Sequence, residues 1–221
     1  GASKIYLKTR QREEIQIEIK NKGNVTWNGA GKNRFALGSE QPRDHINRLL
    51  ARNGNRLGYL DESRVDPGET GHATIILRTP VQPGAYKEYF TPLLEGVTWF
   101  KPHNNFIDLY VYENEYSASL NDKSNNTVFP PGEKRKLWFE LQNTGGVVWN
   151  EKETQMVEFD IKNKSQLEIN DIKLNEGKIA PGNGGKISFM VTAPQEEGFY
   201  LLQFRPKIGS NYLLSRSVNF F

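Results

Sequence analysis

The sequence offers few side chains at the spacing that a catalytic or metal site requires. Its three histidines, His45, His72 and His103, lie 27 and 31 residues apart, which is not the short spacing of a recognisable metal site. Adjacent carboxylates such as Asp61 and Glu62 point to opposite sides of an extended chain, so they are typical of turn charges. Cys is absent, which excludes disulfides and thiolate ligands. We therefore predict that the chain is not an enzyme and holds no metal and no other cofactor.

Arginine and aromatic residues form a more informative pattern. The stretch 41–64 contains five Arg and no Lys, and Arg suits planar, two-pronged pairing and stacking on rings. Fork-shaped donors combined with aromatic faces are typical of a protein hot spot or of a surface that stacks against a sugar ring. On this basis we select as candidate binding residues Arg43, Asp44, Arg56, Tyr59, Glu88, Tyr89, Trp99 and Trp138. The alternative is a loop that is salt-bridged internally and has no ligand.

The elements that position these residues occur twice in the chain. Asn21-Lys-Gly-Asn-Val-Thr-Trp27 returns 122 positions later as Asn143-Thr-Gly-Gly-Val-Val-Trp149, whereas the later Pro67-Gly68 turn returns after only 114 positions. The first copy therefore has about eight extra residues, in the Arg-rich insert 41–64. A repeat of this length indicates two domains, which we place at residues 1–113 and 114–221.

Each copy has the pattern of an antiparallel β-sandwich. Apolar and polar residues alternate along 14–20 and 136–142, as in strands with one wet face. Strands are also predicted at 72–78, 86–93, 106–112, 186–192, 199–205 and 213–221, with 121–126 as a loop, and no long segment has helical periodicity. The fold class is therefore all-β, with two tandem immunoglobulin-like antiparallel β-sandwiches. We expect Trp27 and Trp149 to fill the two cores.

Alignment of the copies draws attention to Glu88 and Trp138. Glu88 takes the position of Leu202 in the second copy, and a buried carboxylate needs a partner because an unpaired charge costs several kcal/mol. We predict that Arg43 or Arg56 reaches it and holds the insert over one end of the sandwich. Strand alternation leaves Trp138 outward, either covered by a neighbouring element or part of a contact surface.

The order and spacing of several segments resemble the FW, or four-tryptophan, immunoglobulin-like domain of autophagy cargo receptors and related bacterial proteins. The resembling segments of the first copy are Lys20–Trp27, Val65–Glu69, Thr79–Tyr86 and Glu95–Trp99. The first copy is more similar to the branch found in bacterial secreted and cell-wall-associated proteins, through Leu37-Gly38, Pro42-Arg43-Asp44 and Gly58-Tyr59-Leu60. The second copy is divergent. This resemblance implies a non-catalytic sandwich used for protein or surface recognition.

Composition limits the classes of partner that the chain is expected to bind. A net charge of +3 falls short of a nucleic-acid footprint, and no apolar run approaches the roughly 20 residues that insert into a membrane. We predict a binding or adhesion module of a larger secreted or cell-surface protein, located outside the cell or on its surface. It would recognise a protein or a cell-envelope polysaccharide, as a monomer or with weak or filamentous self-association. A structural spacer or filament subunit, and an ancillary region of a cell-wall hydrolase, are the alternatives.

Overall fold

The computed structural model describes residues 4–125, 127–150, 158–162 (backbone) and 167–221. All of its regular elements are strands, and every pair with a described register is antiparallel. The chain divides into two compact units, Gly1–Val111 and Tyr112–Phe221. These observations confirm the predicted fold class of two tandem immunoglobulin-like antiparallel sandwiches. The described part contains no helix able to cross a membrane.

The structure describes ten strands in unit 1, from residue 4 onward. They are β1 (Ile5–Lys8), β2 (Arg12–Lys20), β3 (Trp27–Asn28), β4 (Phe35–Glu40), β5 (Arg56–Leu60), β6 (Arg64–Val65), β7 (Thr70–Arg78), β8 (Gly84–Leu94), β9 (Thr98–Trp99) and β10 (Asn105–Tyr112). The main sheet has the order β1-β10-β8-β4-β5-β7-β2, with β9 added to β8, while β3 and β6 form a separate pair.

The insert 41–64 contributes more to this sheet than the sequence indicates. Its strand β5 lies between β4 and β7 and is hydrogen-bonded to both. Backbone groups that would otherwise be unpaired are satisfied on both sides of this strand, and β5 joins the two halves of the sheet. The prediction of a lid over one end of the sandwich is therefore wrong for this part of the insert.

The described part of unit 2 contains ten strands, eight of them in two larger sheets and the other two in a separate pair. They are β11 (Ala118–Lys123), β12 (Lys134–Asn143), β13 (Trp149–Asn150), β14 (Glu158–Lys162), β15 (Glu168–Leu174), β16 (Lys178–Ile179), β17 (Gly184–Thr192), β18 (Leu202–Ile208), β19 (Asn211–Tyr212) and β20 (Val218–Phe220). One sheet has the order β11-β12-β17-β15, and in the other β18 pairs with β14, β19 and β20. Strand β11 replaces the first half of the loop predicted at 121–126.

Each unit has its own apolar core, as the alternation predicts. Trp27 is 5% exposed and Trp149 is fully buried, which confirms both as core residues. In β12, Leu137, Phe139 and Leu141 are buried. The ring of Phe139 lies 5.4 Å from that of Phe204 on the opposite sheet, between ring centroids. Packing between the two sheets therefore closes the sandwich of unit 2.

A buried asparagine makes the same hydrogen bonds in both units. Asn21 Nδ2 donates to two backbone carbonyls at 2.9 and 3.2 Å, and its Oδ1 accepts a backbone N–H at 3.1 Å. Asn143 repeats the three bonds at 2.8, 3.2 and 3.1 Å. The distant carbonyl lies 44 residues on in unit 1 and 36 in unit 2. The difference equals the extra length of the first copy, so the insert leaves this turn unchanged.

Candidate functional site

Apart from Glu88, the candidate residues of unit 1 gather on the outer face of the main sheet, around Trp99. Trp99 pairs with Leu93 at the end of the β8–β9 hairpin, and its ring lies across Gly38 of β4. A Cβ on Gly38 would approach the indole to 2.2 Å, so only glycine leaves room for the ring. The half-buried ring of Trp99 therefore has one side fixed against the sheet.

Arg56 ties the insert to this ring. It lies opposite Gly38 in the β4–β5 register, and its side chain is only 15% exposed. The guanidinium donates to the two oxygens of Glu95 at 2.8 and 3.1 Å and also to Asp44. Hydrogen bonding to Glu95 raises the pKa of Arg56 above its ordinary value, and Asp44 adds to the effect. The Arg56 charge, 5.4 Å from the Trp99 ring centroid, is permanent.

Arg43 is the exposed cation of the group. Its guanidinium carbon lies 4.9 Å from the Trp99 ring centroid, within cation–π range. The same side chain bonds Glu40 at 3.1–3.3 Å and is 45% exposed. We call Trp99, Arg43 and Arg56, with the carboxylates of Glu40, Asp44 and Glu95, the tryptophan–arginine surface.

Tyr59 and Tyr89 lie on the same face of the sheet. Tyr59 pairs with Ala36 and Tyr89 with Glu40, and alternate residues of β4 share a face. Arg34 stacks over Tyr59 with 3.8 Å from its guanidinium carbon to the ring centroid. The Tyr89 ring lies 5.7 Å from that of a neighbouring phenylalanine, Phe106, between centroids. Both aromatic rings are therefore held by contacts within unit 1.

Sequence reasoning missed the residues that hold this surface together. Glu40 and Glu95 supply the carboxylates, Gly38 the space under the ring, and Arg34 the cover over Tyr59. The sequence indicates Leu37-Gly38 and the segment Glu95–Trp99 only through their resemblance to family motifs. Its physical role depends on the β8–β9 hairpin folding back over β4, which residue types alone do not indicate.

Glu88 lies on the opposite, inward face and corrects the predicted ion pair. It is 8% exposed, and its Oε1 lies 3.1 Å from His45 Nε2. Arg43 and Arg56 are bound to other carboxylates. The prediction that Arg43 or Arg56 reaches Glu88 is therefore wrong, and the insert residue beside the carboxylate is His45. The turn that follows β4 brings His45 inward and leaves Arg43 outside.

A second contact orients the His45 ring toward Glu88. His45 Nδ1 lies 2.7 Å from the carbonyl oxygen of Pro42, which can only accept, so Nδ1 carries hydrogen. Nε2 lies 3.1 Å from Glu88 Oε1, which places the imidazole next to the buried carboxyl. Burial raises the pKa of the Glu88 carboxyl, and His45 counteracts part of that rise. This pair supports the insert from inside the sandwich.

Trp138 belongs to unit 2. It is partly exposed on the outer face of β12, as predicted. Lys186 of β17 places its Nζ 4.0 Å from the ring centroid, within cation–π range. A neighbouring strand therefore covers part of the ring, and the rest of it faces solvent.

Clusters of metal ligands are absent from the part of the chain that the structure describes: no three His, Asp or Glu side chains converge there in a way that could hold an ion. The candidate site of unit 1 presents an indole ring, guanidinium forks and carboxylates, which are groups suited to recognising a partner.

Comparison with known proteins gives distant structural similarities. No family model and no curated protein matches the chain, so membership of the four-tryptophan family stays a prediction. A Porphyromonas gingivalis protein of unknown function is 13% identical, with 96% of this chain and 91% of that chain covered and a TM-score of 0.31. The Escherichia coli adhesin FdeC is 11% identical, with coverage of 97% and 60% and a TM-score of 0.36.

The C-terminal domain of the Streptococcus agalactiae antigen I/II polypeptide BspA is 12% identical, with 96% of this chain and 93% of that chain covered and a TM-score of 0.34. The similar structures thus include bacterial adhesin and surface-protein domains. Function has to be argued from the site itself.

Proposed function

We propose that the chain is a non-catalytic binding module of a larger secreted or cell-surface protein. Unit 1 contacts its partner, a protein or a cell-envelope glycan, through the tryptophan–arginine surface. The observation that carries the proposal is the arrangement at Trp99, whose ring is fixed against Gly38 and flanked by Arg43 and Arg56.

Rigidity makes this surface suitable for binding. Ordering a long side chain on association costs about 0.5–1.5 kcal/mol, and Arg56 is already ordered by Glu95 and Asp44. Trp and Arg are also the residue types that contribute most at interfaces. A partner would therefore meet a preformed ring and two fixed charges.

Arg43 is the residue through which the surface is best tested. It is half exposed and has one described carboxylate partner, Glu40, so its removal leaves the Arg56 contacts in place. Arg64 provides a matched control, because it is also exposed and paired with one carboxylate, Asp66, at 2.7 Å. Each of the two Arg→Ala changes removes one positive charge from unit 1.

The experiment screens the chain against immobilised bacterial polysaccharides and extracellular-matrix proteins, and then measures the affinity of the variants for the strongest ligand. We expect Arg43→Ala to weaken binding about tenfold, as the loss of one charge-assisted contact implies. Arg64→Ala should bind like the parent. Equal affinities for the two variants would place the site elsewhere, and a screen without any ligand would favour a structural spacer.

A further inference from the structure

Five arginines that the proposed contact surface does not use line a groove on unit 1, and Arg56, which belongs to that surface, borders the same groove. We call it the arginine groove and define it by Arg10, Arg12, Arg48, Arg52 and Arg78. It consists of two adjoining depressions of about 400 and 890 Å³. The depressions share Arg10, Arg78 and three residues of the insert, so they form one continuous path.

The fold brings these arginines together from three distant segments. Arg12 and Arg78 are direct cross-strand partners in β2 and β7. Backbone hydrogen bonds of 2.7 and 2.9 Å hold the insert segment 49–51 against the end of β7. Arg48 and Arg52 flank that segment and therefore lie beside the same strand end. Arg10 belongs to the turn that precedes β2 and has a φ of 60°.

Positive charge in this groove is largely uncompensated. Arg12 contacts Glu14 at 3.1 Å, and both side chains are more than 60% exposed, where an ion pair contributes little. Among the described residues, no carboxylate lies within 4.0 Å of the other four arginines. The lining contains no Asp or Glu.

Like charges that lie directly opposite each other in a sheet destabilise it. The Arg12–Arg78 pair is such an arrangement, so the sheet tolerates a repulsion that an anion would relieve. The guanidinium groups offer planar forks that match sulfate and carboxylate groups. These features indicate an anionic ligand.

We propose that the arginine groove binds an acidic polysaccharide through its sulfate or carboxylate groups. Each depression has the size of a small-molecule site, for which about 300–1,000 Å³ is typical, and their continuity suits a chain of sugar rings. Proteins that bind single-stranded nucleic acid stack bases on aromatic rings. The one aromatic residue in the lining, Tyr59, is already covered by Arg34, so the groove favours a glycan.

Titration of the full chain with a heparin-derived octasaccharide tests the proposal. A desulfated octasaccharide determines whether sulfate is needed or carboxylate suffices, and an oligothymidylate tests the nucleic-acid alternative. The groove variant carries Arg12→Gln, Arg52→Gln and Arg78→Gln. A control with the same change in charge carries substitutions in exposed residues of unit 1 that do not line the groove, Lys20→Gln, Lys22→Gln and Lys32→Gln.

Charge-assisted contacts are worth about tenfold each in affinity, so we expect the groove variant, which loses three, to bind the octasaccharide about 1,000-fold more weakly. Its binding should also depend less on salt, because fewer exposed charges remain to be screened. The control should stay within about twofold of the parent. Thermal unfolding of each variant checks that unit 1 is folded.

Three results would overturn the proposal: no binding of either octasaccharide, equal weakening by the lysine control, or tighter binding of the oligothymidylate. The Arg43→Ala variant separates this inference from the proposed function. It should bind the octasaccharide normally, because Arg43 does not line the groove.

Discussion

Replacement of Arg56 by alanine should loosen the insert more than any other single charge removal in unit 1. Arg56 donates to both oxygens of Glu95 and to Asp44, and it lies over the Trp99 ring. Its side chain is 15% exposed and that of Glu95 23%. Glu95 would therefore be left partly buried without its main partner.

The expected loss of folding free energy on Arg56→Ala follows from these exposures. The two-pronged bond to Glu95 contributes about 2 kcal/mol, toward the lower end for charged hydrogen bonds because solvent reaches both groups. Asp44 is 50% exposed and adds less than about 1 kcal/mol, and the cation–π contact adds about 0.5–1 kcal/mol. The sum is about 3 kcal/mol. Arg56→Lys keeps the charge but loses the fork, and should cost about half as much.

Hydrogen–deuterium exchange of the full chain, followed by mass spectrometry, resolves the effect by peptide. A loss of about 3 kcal/mol accelerates exchange of the β4 and β5 amides by about 100-fold where exchange follows local opening. Arg64→Ala, which removes an exposed ion pair, should change exchange by less than about threefold. If Arg56→Ala cost less than about 1 kcal/mol, the ion pairs would be solvated contacts and the surface would not be rigid.

Burial raises the pKa of Glu88, so its contribution to the free energy of unfolding is present below the ordinary value of 4.5 and is lost as pH rises through the folded-state pKa. In urea titrations, the free energy of unfolding of Glu88→Leu relative to that of the parent should therefore be higher at pH 7 than at pH 4. The substitution also removes the partner of the His45 imidazole. The opposite pH trend would refute the assignment. Asn143→Ala removes three hydrogen bonds of a buried side chain and should cost about 3 kcal/mol in the same assay, against less than about 0.5 kcal/mol for the exposed Asn121→Ala. Gly38→Ala places a Cβ within 2.2 Å of the indole, so it should cost about 1–3 kcal/mol and shift tryptophan emission to longer wavelength; unchanged emission would show that the ring is not fixed there.

The sequence predicts what depends on local alternation. The inward Leu137 and Phe139 and the outward Trp138 follow from a period of two, and the core positions of Trp27 and Trp149 follow from their equivalent places after a turn. Features that depend on the path of the chain in space do not follow from this alternation.

The path of the insert accounts for what the sequence does not indicate. Comparison of the copies shows that Glu88 needs a partner from 41–64, but the choice of His45 depends on how the chain turns after β4. The central position of β5 likewise follows from pairing on both edges. The small net charge of the chain gives no sign of the arginine groove. Its arginines lie at 10–12, 48–52 and 78 in the sequence and come together only through the pairing of β2, β7 and the insert.

The indole N–H signals of the four tryptophans give the most direct test of the central claim, which is that unit 1 binds through the surface at Trp99. The measurement is an NMR titration of the ¹⁵N-labelled full chain with the ligand selected by the polysaccharide and matrix-protein screen. We predict that the Trp99 signal shifts and saturates with the binding curve, while those of the buried Trp27 and Trp149 and of Trp138 in unit 2 stay in place. Saturable binding that leaves Trp99 unshifted, or that shifts Trp138 instead, would contradict the account.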